Sequence, residues 1–248
     1  MDHITKFVSL DVSKETIAVA VAERGTAPPR YLGSVANTPE AVRKLVRRLG
    51  KPEQLLACYE AGPTGYGLYR LLSRLGVRCL VVAPSLTPVR PGDQVKTDRR
   101  DALRLAQLLR AGELTPVWVP GEEEEALRDL VRAREGAKRG LKRARQELSS
   151  FLLRHGIAAP KGTKRWSRMF LRLLDTLSFP HRATQVAYQE YVEAVRAQQA
   201  RVDRLEAEIH ALATESRQAP VIQALQALKG VGEVTAVTLA AEIGEFSR

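Results

Sequence analysis

The chain has 248 residues, a formal net charge of +11 and a sequence pI near 10.0. This length is enough for two or three domains, and so strong a positive balance favours a polyanionic partner such as nucleic acid. The chain opens without a charged and then apolar leader, and no apolar stretch reaches the roughly 18 residues of a membrane span, so we expect a soluble protein that has no membrane partner, is cytoplasmic and is nucleoid-associated when bound to DNA.

The first half of the chain alternates strand and helix patterns. Apolar and β-branched runs predict strands at 7–10, 16–22, 30–35, 54–59 and 77–82, and amphipathic runs predict helices at 39–49, 65–75 and 99–111. Thr38 and Pro39 form the start signal of the first helix. The order is therefore three meandering strands followed by helix, strand, helix, strand and helix.

Four carboxylates fall where these elements begin or end. Asp11 follows the first strand, Glu60 ends the fourth, and Asp98 and Asp101 lie three residues apart on one face of the last helix. Each of these acids, taken alone, is explained equally well as a residue that forms a turn or as an ordinary surface carboxylate, without any functional role. Their positions together resemble the ribonuclease H fold, an α/β fold with a mixed five-stranded sheet in which the tips of strands one and four lie side by side.

We therefore expect the four acids to converge. Clustered carboxylates repel one another and are retained where a cation neutralises them, and hard oxygen ligands suit Mg²⁺ or Mn²⁺. The sequence predicts a divalent metal site in which Asp11, Glu60, Asp98 and Asp101 are both the metal ligands and the catalytic residues.

The second half of the chain is helical and basic. Two heptad patterns, starting at 122 and 188, predict a coiled coil that forms within the chain or across a dimer. A basic connector with a short helix around 166–177 joins them. Residues 128–172 carry 14 basic and three acidic side chains, whereas a solvated coiled-coil face usually mixes both signs. We interpret this segment as a nucleic-acid-binding surface.

The candidate nucleic-acid contacts are cations beside the last acids, cations of the basic segment, and glycines near the end of the chain. They are Lys96, Arg99, Arg100, Lys138, Arg139, Lys142, Arg143, Lys161, Lys164, Arg165, Gly230 and Gly232. The two glycines lie in a helix-hairpin-helix pattern, whose backbone amides can bind phosphate oxygens. Trp166 is suited to stacking on a base, or equally to the core of the short helix.

Three segments carry a family resemblance, namely 9–14 around Asp11, 59–65 around Glu60, and 96–102 around Asp98 and Asp101. They resemble the DEDD transposases of the one-ten insertion-sequence type, and residues 230–244 look like the opening of that family's carboxy-terminal transposase domain. The resemblance implies a RuvC-like ribonuclease H-fold domain at 1–118, a basic coiled-coil and connector domain at 119–216, and an incomplete helix-hairpin-helix domain at 217–248.

The resemblance also implies an activity. Members of this family act as DNA recombinases guided by a structured non-coding RNA of their own element, assemble as homodimers and homotetramers, and combine the four acids with a serine nucleophile. Ser247 does not lie in the motif of that serine, which we expect beyond Arg248, so strand transfer by this chain alone is not expected.

Two other functions remain open from the sequence. A RuvC-like junction-resolving endonuclease would use the same acids to activate water and would need no serine. A non-catalytic nucleic-acid-binding and assembly module would use only the basic surface. An actin-like ATPase or sugar kinase also begins with a strand and an aspartate, but it needs glycine-rich phosphate loops that the sequence lacks.

Overall fold

The computed structural model describes residues 3–88, 97–159 and 162–246. The chain divides into two compact units, Met1–Val119 and Pro120–Arg248. Within the described ranges, no helix is long and apolar enough to span a membrane.

The first unit is built on one mixed sheet of five strands. They are β1 (Lys6–Val12), β2 (Thr16–Glu23), β3 (Arg30–Ala36), β4 (Leu55–Glu60) and β5 (Arg78–Val82). Their order across the sheet is β3-β2-β1-β4-β5. Strands β1, β2 and β3 pair antiparallel, whereas β4 is parallel to both β1 and β5. The predicted mixed sheet is confirmed, and it is consistent with an α/β fold of the ribonuclease H-like type.

Three helices cover the two faces of this sheet. Helices α1 (Pro39–Leu49) and α2 (Gly67–Arg74) pack on one face, and α3 (Asp98–Ala111) packs on the other. Thr38 caps α1 as predicted, because its hydroxyl accepts a hydrogen bond from the amide of Ala41 at 3.3 Å. Burial of both faces explains the continuous apolar runs of β2 and β4.

Helix α2 begins later than predicted. The residues before it form a turn in which Gly65 has a φ of 68° and donates a backbone hydrogen bond to Gly62 at 3.2 Å. The left-handed backbone at Gly65 is incompatible with the predicted helical start directly after Thr64. Helix α2 therefore starts at Gly67, and the turn follows directly on the end of β4.

The second unit contains two long helices that pack against each other within the chain. Helix α4 (Glu122–Arg154) and helix α6 (Arg182–Glu215) run antiparallel, since Arg134 contacts Glu206 while Phe151 contacts Tyr188. The predicted heptad positions of α4 from Leu127 to Phe151 are buried or half-buried, and His155 is exposed. On α6, Leu212 is 38% exposed and Ala213 is buried instead. A straight helix drifts relative to a 3.5-residue repeat, which explains the shift. Coiled-coil supercoiling remains a prediction.

Three shorter helices complete the second unit. Helix α5 (Arg168–Thr176) joins α4 to α6, and helices α7 (Ala219–Gln226) and α8 (Glu233–Ile243) follow α6. The start of α4, the end of α6, α7 and α8 share one apolar core. The division of these residues into a coiled-coil domain and a separate helix-hairpin-helix domain also remains a prediction.

Candidate active site and nucleic-acid surface

Asp11 and Glu60 lie level with each other at the carboxyl ends of two neighbouring strands. Strands β1 and β4 are parallel, and Ser9 pairs with Cys58 in their register. Continuing the register by two residues brings Asp11 beside Glu60. Neighbouring strands lie roughly 4.8 Å apart, so the two acids share one edge of the sheet.

Both acids face the helix α3 side of the sheet. Residues paired across neighbouring strands point to the same face. Asp11 pairs with Ala18, and Glu60 pairs with Val82. Ala18 packs with alanines of α3, and Val82 packs with leucines of α3. The carboxylates of Asp11 and Glu60 therefore project towards the helix that carries the other two acids.

Helix α3 is held close to the sheet by small residues and by one buried hydroxyl. Alanines of β2 pack directly against Ala102 and Ala106, which permits a short distance between helix and sheet. The buried side chain of Ser9 donates a hydrogen bond of 2.5 Å to the carbonyl of Ala102. Thr97 caps the helix by accepting a hydrogen bond from the amide of Arg100 at 3.3 Å. These contacts position the first turn of α3, which contains Asp98 and Asp101, beside β1.

The four acids interact electrostatically. The pKa of Asp11 is raised to about 6, first by its partial burial and then by the negative charges of Asp98, Asp101 and Glu60, in that order of size. A carboxylate responds to like charges in this way only when they are near. The structure therefore brings together four acids that are up to 90 residues apart in the sequence.

The carboxylates of the four acids are the type of ligand that a divalent metal ion prefers. Carboxylate oxygens are hard ligands, and a cation would relieve the repulsion that Asp11 experiences. Among the residues that the structure describes, however, no three Asp, Glu, His or Cys side chains are close enough together to hold a metal ion. The carboxylates are thus within electrostatic range but would have to turn towards a shared ion to coordinate it.

The cations predicted beside these acids differ in placement. Arg99 is exposed, and its guanidinium carbon lies 5.7 Å from the centre of the Tyr31 ring on β3. Arg100 is exposed on the first turn of α3. Lys96 lies outside the described residues. Arg99 and Arg100 are therefore at the same helix end as Asp98 and Asp101, on its solvent side.

The structure divides the arginines of the basic segment into two groups. Arg132 makes two hydrogen bonds of 2.7 Å to Glu242 of α8 and thereby holds the pKa of that carboxyl below its usual value. Arg128 donates to the carbonyl of Ala241 at 2.9 Å. With Arg134, which is bonded to Glu206, these residues tie α4 to its neighbours. Counting charges alone could not separate these three arginines from cations that make no bond to a neighbouring helix.

Most of the predicted nucleic-acid contacts on α4 and the connector belong to the other group, the cations that do not tie α4 to its neighbours. Exposed cations of this group are Lys138, Arg139, Lys142, Arg143, Lys164 and Arg165. Arg143 pairs with Glu147 one turn along the helix at 2.9 Å, an exposed pair of little energetic value. Lys161 lies outside the described residues. The exposed cations form a basic surface on α4 and the connector.

The two predicted glycines of the tail lie between α7 and α8. Gly230 has a φ of 89°, whereas Gly232 precedes α8 with an ordinary φ of −78°. A Cβ at either position would meet nothing within 4 Å, so both backbones are accessible. The sequence did not reveal that Glu233, in the first turn of α8, reaches His210 of α6 at 2.5 Å. That carboxylate already provides a negative charge at the helix start.

Ser9 is the residue of this site that sequence reasoning missed. Its signal was a single hydroxyl within a strand that is otherwise apolar, and the structure shows it buried against α3. A mixed sheet of this order, with acids gathered at one strand edge under a capped helix, is typical of the ribonuclease H-like class of nucleic-acid-processing domains.

The family follows from sequence comparison. The family of IS110-type DEDD transposases, described as "Transposase", matches residues 8–157. The chain belongs to this family of insertion-sequence transposases.

Similar proteins agree with this assignment. The candidate transposase y4qE of Sinorhizobium fredii is 47% identical over 249 aligned residues, covering 100% of this chain and 60% of that protein. The transposase for insertion sequence element IS1533 of Leptospira borgpetersenii is 33% identical over 242 residues, covering 97% of this chain and 70% of that protein. The chain therefore spans about two thirds of the length of these relatives.

Proposed function

We propose that the first unit is the metal-dependent catalytic domain of an insertion-sequence transposase that breaks and joins DNA phosphodiester bonds. The observation that carries this proposal is geometric: strand register places Asp11 beside Glu60 on the face of the sheet that is covered by α3, the helix of Asp98 and Asp101. The raised pKa of Asp11 agrees with this placement. Four acids held in mutual repulsion at a strand edge are costly to folding unless they serve a ligand.

Each acid has a defined part in the proposal. Asp11 and Glu60 are fixed by the sheet and would provide ligands from the floor of the site. Asp98 and Asp101 are carried on α3 and would complete the site from its rim. A divalent cation bound between them would polarise the scissile phosphodiester and favour the attacking oxygen. Arg99 and Arg100 would hold the DNA backbone beside the acids.

The basic surface on α4 and the connector would bind a structured guide RNA or DNA. Support comes from the exposed cations of this surface, most of which are not engaged in the ion pairs that hold the helices together. Phosphate contacts of this kind provide affinity without base readout. We assign the serine nucleophile implied by the family resemblance to no residue of this chain. The proposal also includes assembly of the protein as a homodimer or homotetramer.

Metal binding tests the catalytic part of the proposal. We expect titration calorimetry with Mn²⁺ to show binding to the wild-type chain and a loss of at least about tenfold in affinity for Asp11→Asn, because one of four hard ligands is removed. Glu113→Gln is the matched control, since Glu113 is an exposed carboxylate beyond the opposite end of α3. Equal affinities in all three proteins would contradict the proposed site.

Two further assays separate the alternatives. Metal-dependent cleavage of branched DNA by this chain alone would identify a junction-resolving endonuclease instead. Salt-dependent nucleic-acid binding without any Mn²⁺ affinity would identify a non-catalytic binding module, since phosphate contacts weaken steeply as salt rises.

A further inference from the structure

A pocket with several cationic side chains in its walls lies between the middle of helix α4 and the segment that precedes α5. Its volume is about 510 Å³, and its walls include Lys138, Lys142, Arg145, Ser149, Arg165 and Trp166. No acid is among the described residues that line it. A pocket of this size holds a ligand of a few hundred Å³, and its charge selects an anion.

Trp166 is held in this wall in an unusual backbone conformation. Its φ of 66° is in the left-handed region, and it is the one non-glycine residue with a positive φ in the described part of the chain. Bulky residues adopt this conformation only where the surroundings enforce it. The ring is edge-on to Phe170, with 5.5 Å between ring centres. The indole is therefore a fixed wall of the pocket rather than a mobile surface group.

Arg145 is fixed beside the indole. Its guanidinium carbon lies 5.1 Å from the centre of the Trp166 ring, and its Nη2 donates to Gln199 of α6 at 2.9 Å. Gln199 is oriented in turn by a hydrogen bond of 2.7 Å to Asp203. The buried Nε of Arg145 has no acceptor among the described residues. A planar cation is thus preorganised over the aromatic ring.

We propose that this pocket binds one unpaired nucleotide of a single-stranded segment of nucleic acid. The base would stack on the pair formed by the Arg145 guanidinium over the Trp166 ring, and the flanking phosphates would contact Lys138, Lys142 and Arg165. A base that is paired within a helix cannot enter, because its faces are covered by its neighbours. This inference rests on the proposed nucleic-acid binding and adds a preference for unpaired segments.

Tryptophan fluorescence tests the pocket directly. The chain has two tryptophans, so Trp118→Phe leaves Trp166 as the single reporter. The probes are a short oligouridine, an oligothymidine and a blunt-ended RNA duplex of equal length, and binding of each is followed separately by fluorescence anisotropy. We expect the two single strands to bind and to quench Trp166, and the duplex to bind without quenching. The ratio of the oligouridine and oligothymidine affinities shows whether the pocket prefers a nucleotide of RNA or of DNA.

Matched variants separate stacking from charge. Trp166→Leu should weaken oligouridine binding by about tenfold, the scale of one stacked base, whereas Trp166→Phe should keep most of the affinity. Lys142→Gln should weaken binding more than Arg201→Gln, which removes one charge from an exposed position on α6 outside the pocket. Lys142 is on the surface, so the comparison of Lys142→Gln with Arg201→Gln remains informative even if a change at Trp166 disturbs folding.

The outcomes distinguish this inference from the proposed function. Binding of single strands without quenching, or equal effects of Lys142→Gln and Arg201→Gln, would overturn the pocket while leaving the basic surface intact. Absence of binding to all three probes would overturn the proposed nucleic-acid binding, and the pocket with it.

Discussion

Asp11 and Glu60 stand at equivalent levels of the parallel strands β1 and β4, and both face helix α3. This relationship follows from strand register, because Ser9 pairs with Cys58 two residues earlier. Asp98 and Asp101 are brought towards the same strand ends by the packing of α3 on the sheet. The strand register and the helix packing can be tested separately.

The pH dependence of stability tests the repulsion at Asp11. The pKa of this carboxyl is raised from 3.8 to about 6, so the folded chain binds the proton more tightly than the unfolded chain does. Its contribution to stability is therefore present below about pH 4 and is lost as pH rises through about 6. Asp11→Asn should raise the free energy of unfolding at pH 7 by about 1 kcal/mol, after allowance for solvent screening, and by almost nothing at pH 4.

Urea denaturation at the two pH values measures this difference. Glu113→Gln should show no comparable gain at pH 7, because that exposed carboxylate lies beyond the other end of α3. A stability gain for Asp11→Asn that is the same at pH 4 and pH 7 would argue against electrostatic strain as its cause. In the presence of Mn²⁺ at pH 7, the wild type should become more stable than Asp11→Asn, because the ion stabilises the wild type alone.

Ser9→Ala tests the hydrogen bond between β1 and α3. Loss of the bond to the Ala102 carbonyl should lower the free energy of unfolding by about 1 kcal/mol and should weaken Mn²⁺ binding, because the first turn of α3 loses an anchor. The exposed Ser73 on α2 supplies the control, and Ser73→Ala should change neither quantity. Unchanged Mn²⁺ affinity in Ser9→Ala would show that helix packing alone positions Asp98 and Asp101.

Ala106→Leu tests the close approach of α3 to the sheet. Ala106 is fully buried against alanines of β2, so a larger side chain should cost about 1–3 kcal/mol and move the helix outward. Mn²⁺ affinity should fall together with stability. Gln107→Leu places the same side chain one residue along, in solvent, and should leave both unchanged. A destabilised Ala106→Leu with full Mn²⁺ affinity would show that the metal site tolerates the displacement.

Arg134 and Arg143 have opposite expected roles despite lying on the same helix. Arg134→Ala removes a hydrogen bond of 2.9 Å to Glu206 that joins α4 to α6, and should destabilise the chain by about 1–3 kcal/mol. Arg143→Ala affects only an exposed pair with Glu147, so stability should change by less than about 0.5 kcal/mol while RNA affinity falls. Thermal unfolding and anisotropy distinguish the two. The reverse pattern would contradict the division of the arginines into two groups.

The two glycines between α7 and α8 also differ. Gly230→Ala should destabilise the chain by about 1 kcal/mol because its φ is 89°, whereas Gly232→Ala should be almost neutral in stability. If the amides at the start of α8 contact phosphate, Gly232→Ala should nevertheless weaken DNA binding, because the added methyl group limits the approach of the backbone. Full DNA affinity in Gly232→Ala would remove this glycine from the nucleic-acid surface.

The strands and the placement of Asp11 and Glu60 at the ends of neighbouring strands were predictable from the sequence. The metal site formed by all four acids stays a prediction. Alternation of apolar residues located the strands, and the order of elements resembled a fold in which the tips of strands one and four are neighbours. The pairing of Ser9 with Cys58 was not predictable, because register depends on packing between strands that are distant in the sequence. The role of Ser9 was missed for the same reason.

The basic segment was predictable only in its total charge. Charge counting could not foresee that Arg132 is bound to Glu242, because that ion pair joins residues 110 positions apart. It also could not foresee the left-handed backbone at Trp166, which is imposed by tertiary packing rather than by local preference. Sequence reasoning left the core and stacking interpretations of this tryptophan open. The structure places its ring in contact with Phe170 and at the wall of a pocket.

Because β1 and β4 pair in parallel, the placement of Asp11 beside Glu60 depends on the number of residues within each strand but not on the length of the loops between the strands. Extra residues in the connections between the strands would leave Asp11 and Glu60 together, provided that the strands still pair as they do. A single residue inserted within β4, between Cys58 and Glu60, would instead turn the glutamate to the opposite face of the sheet, towards α1 and α2. The length of the loops can therefore change without separating the two acids, whereas the two-residue step from Cys58 to Glu60 cannot.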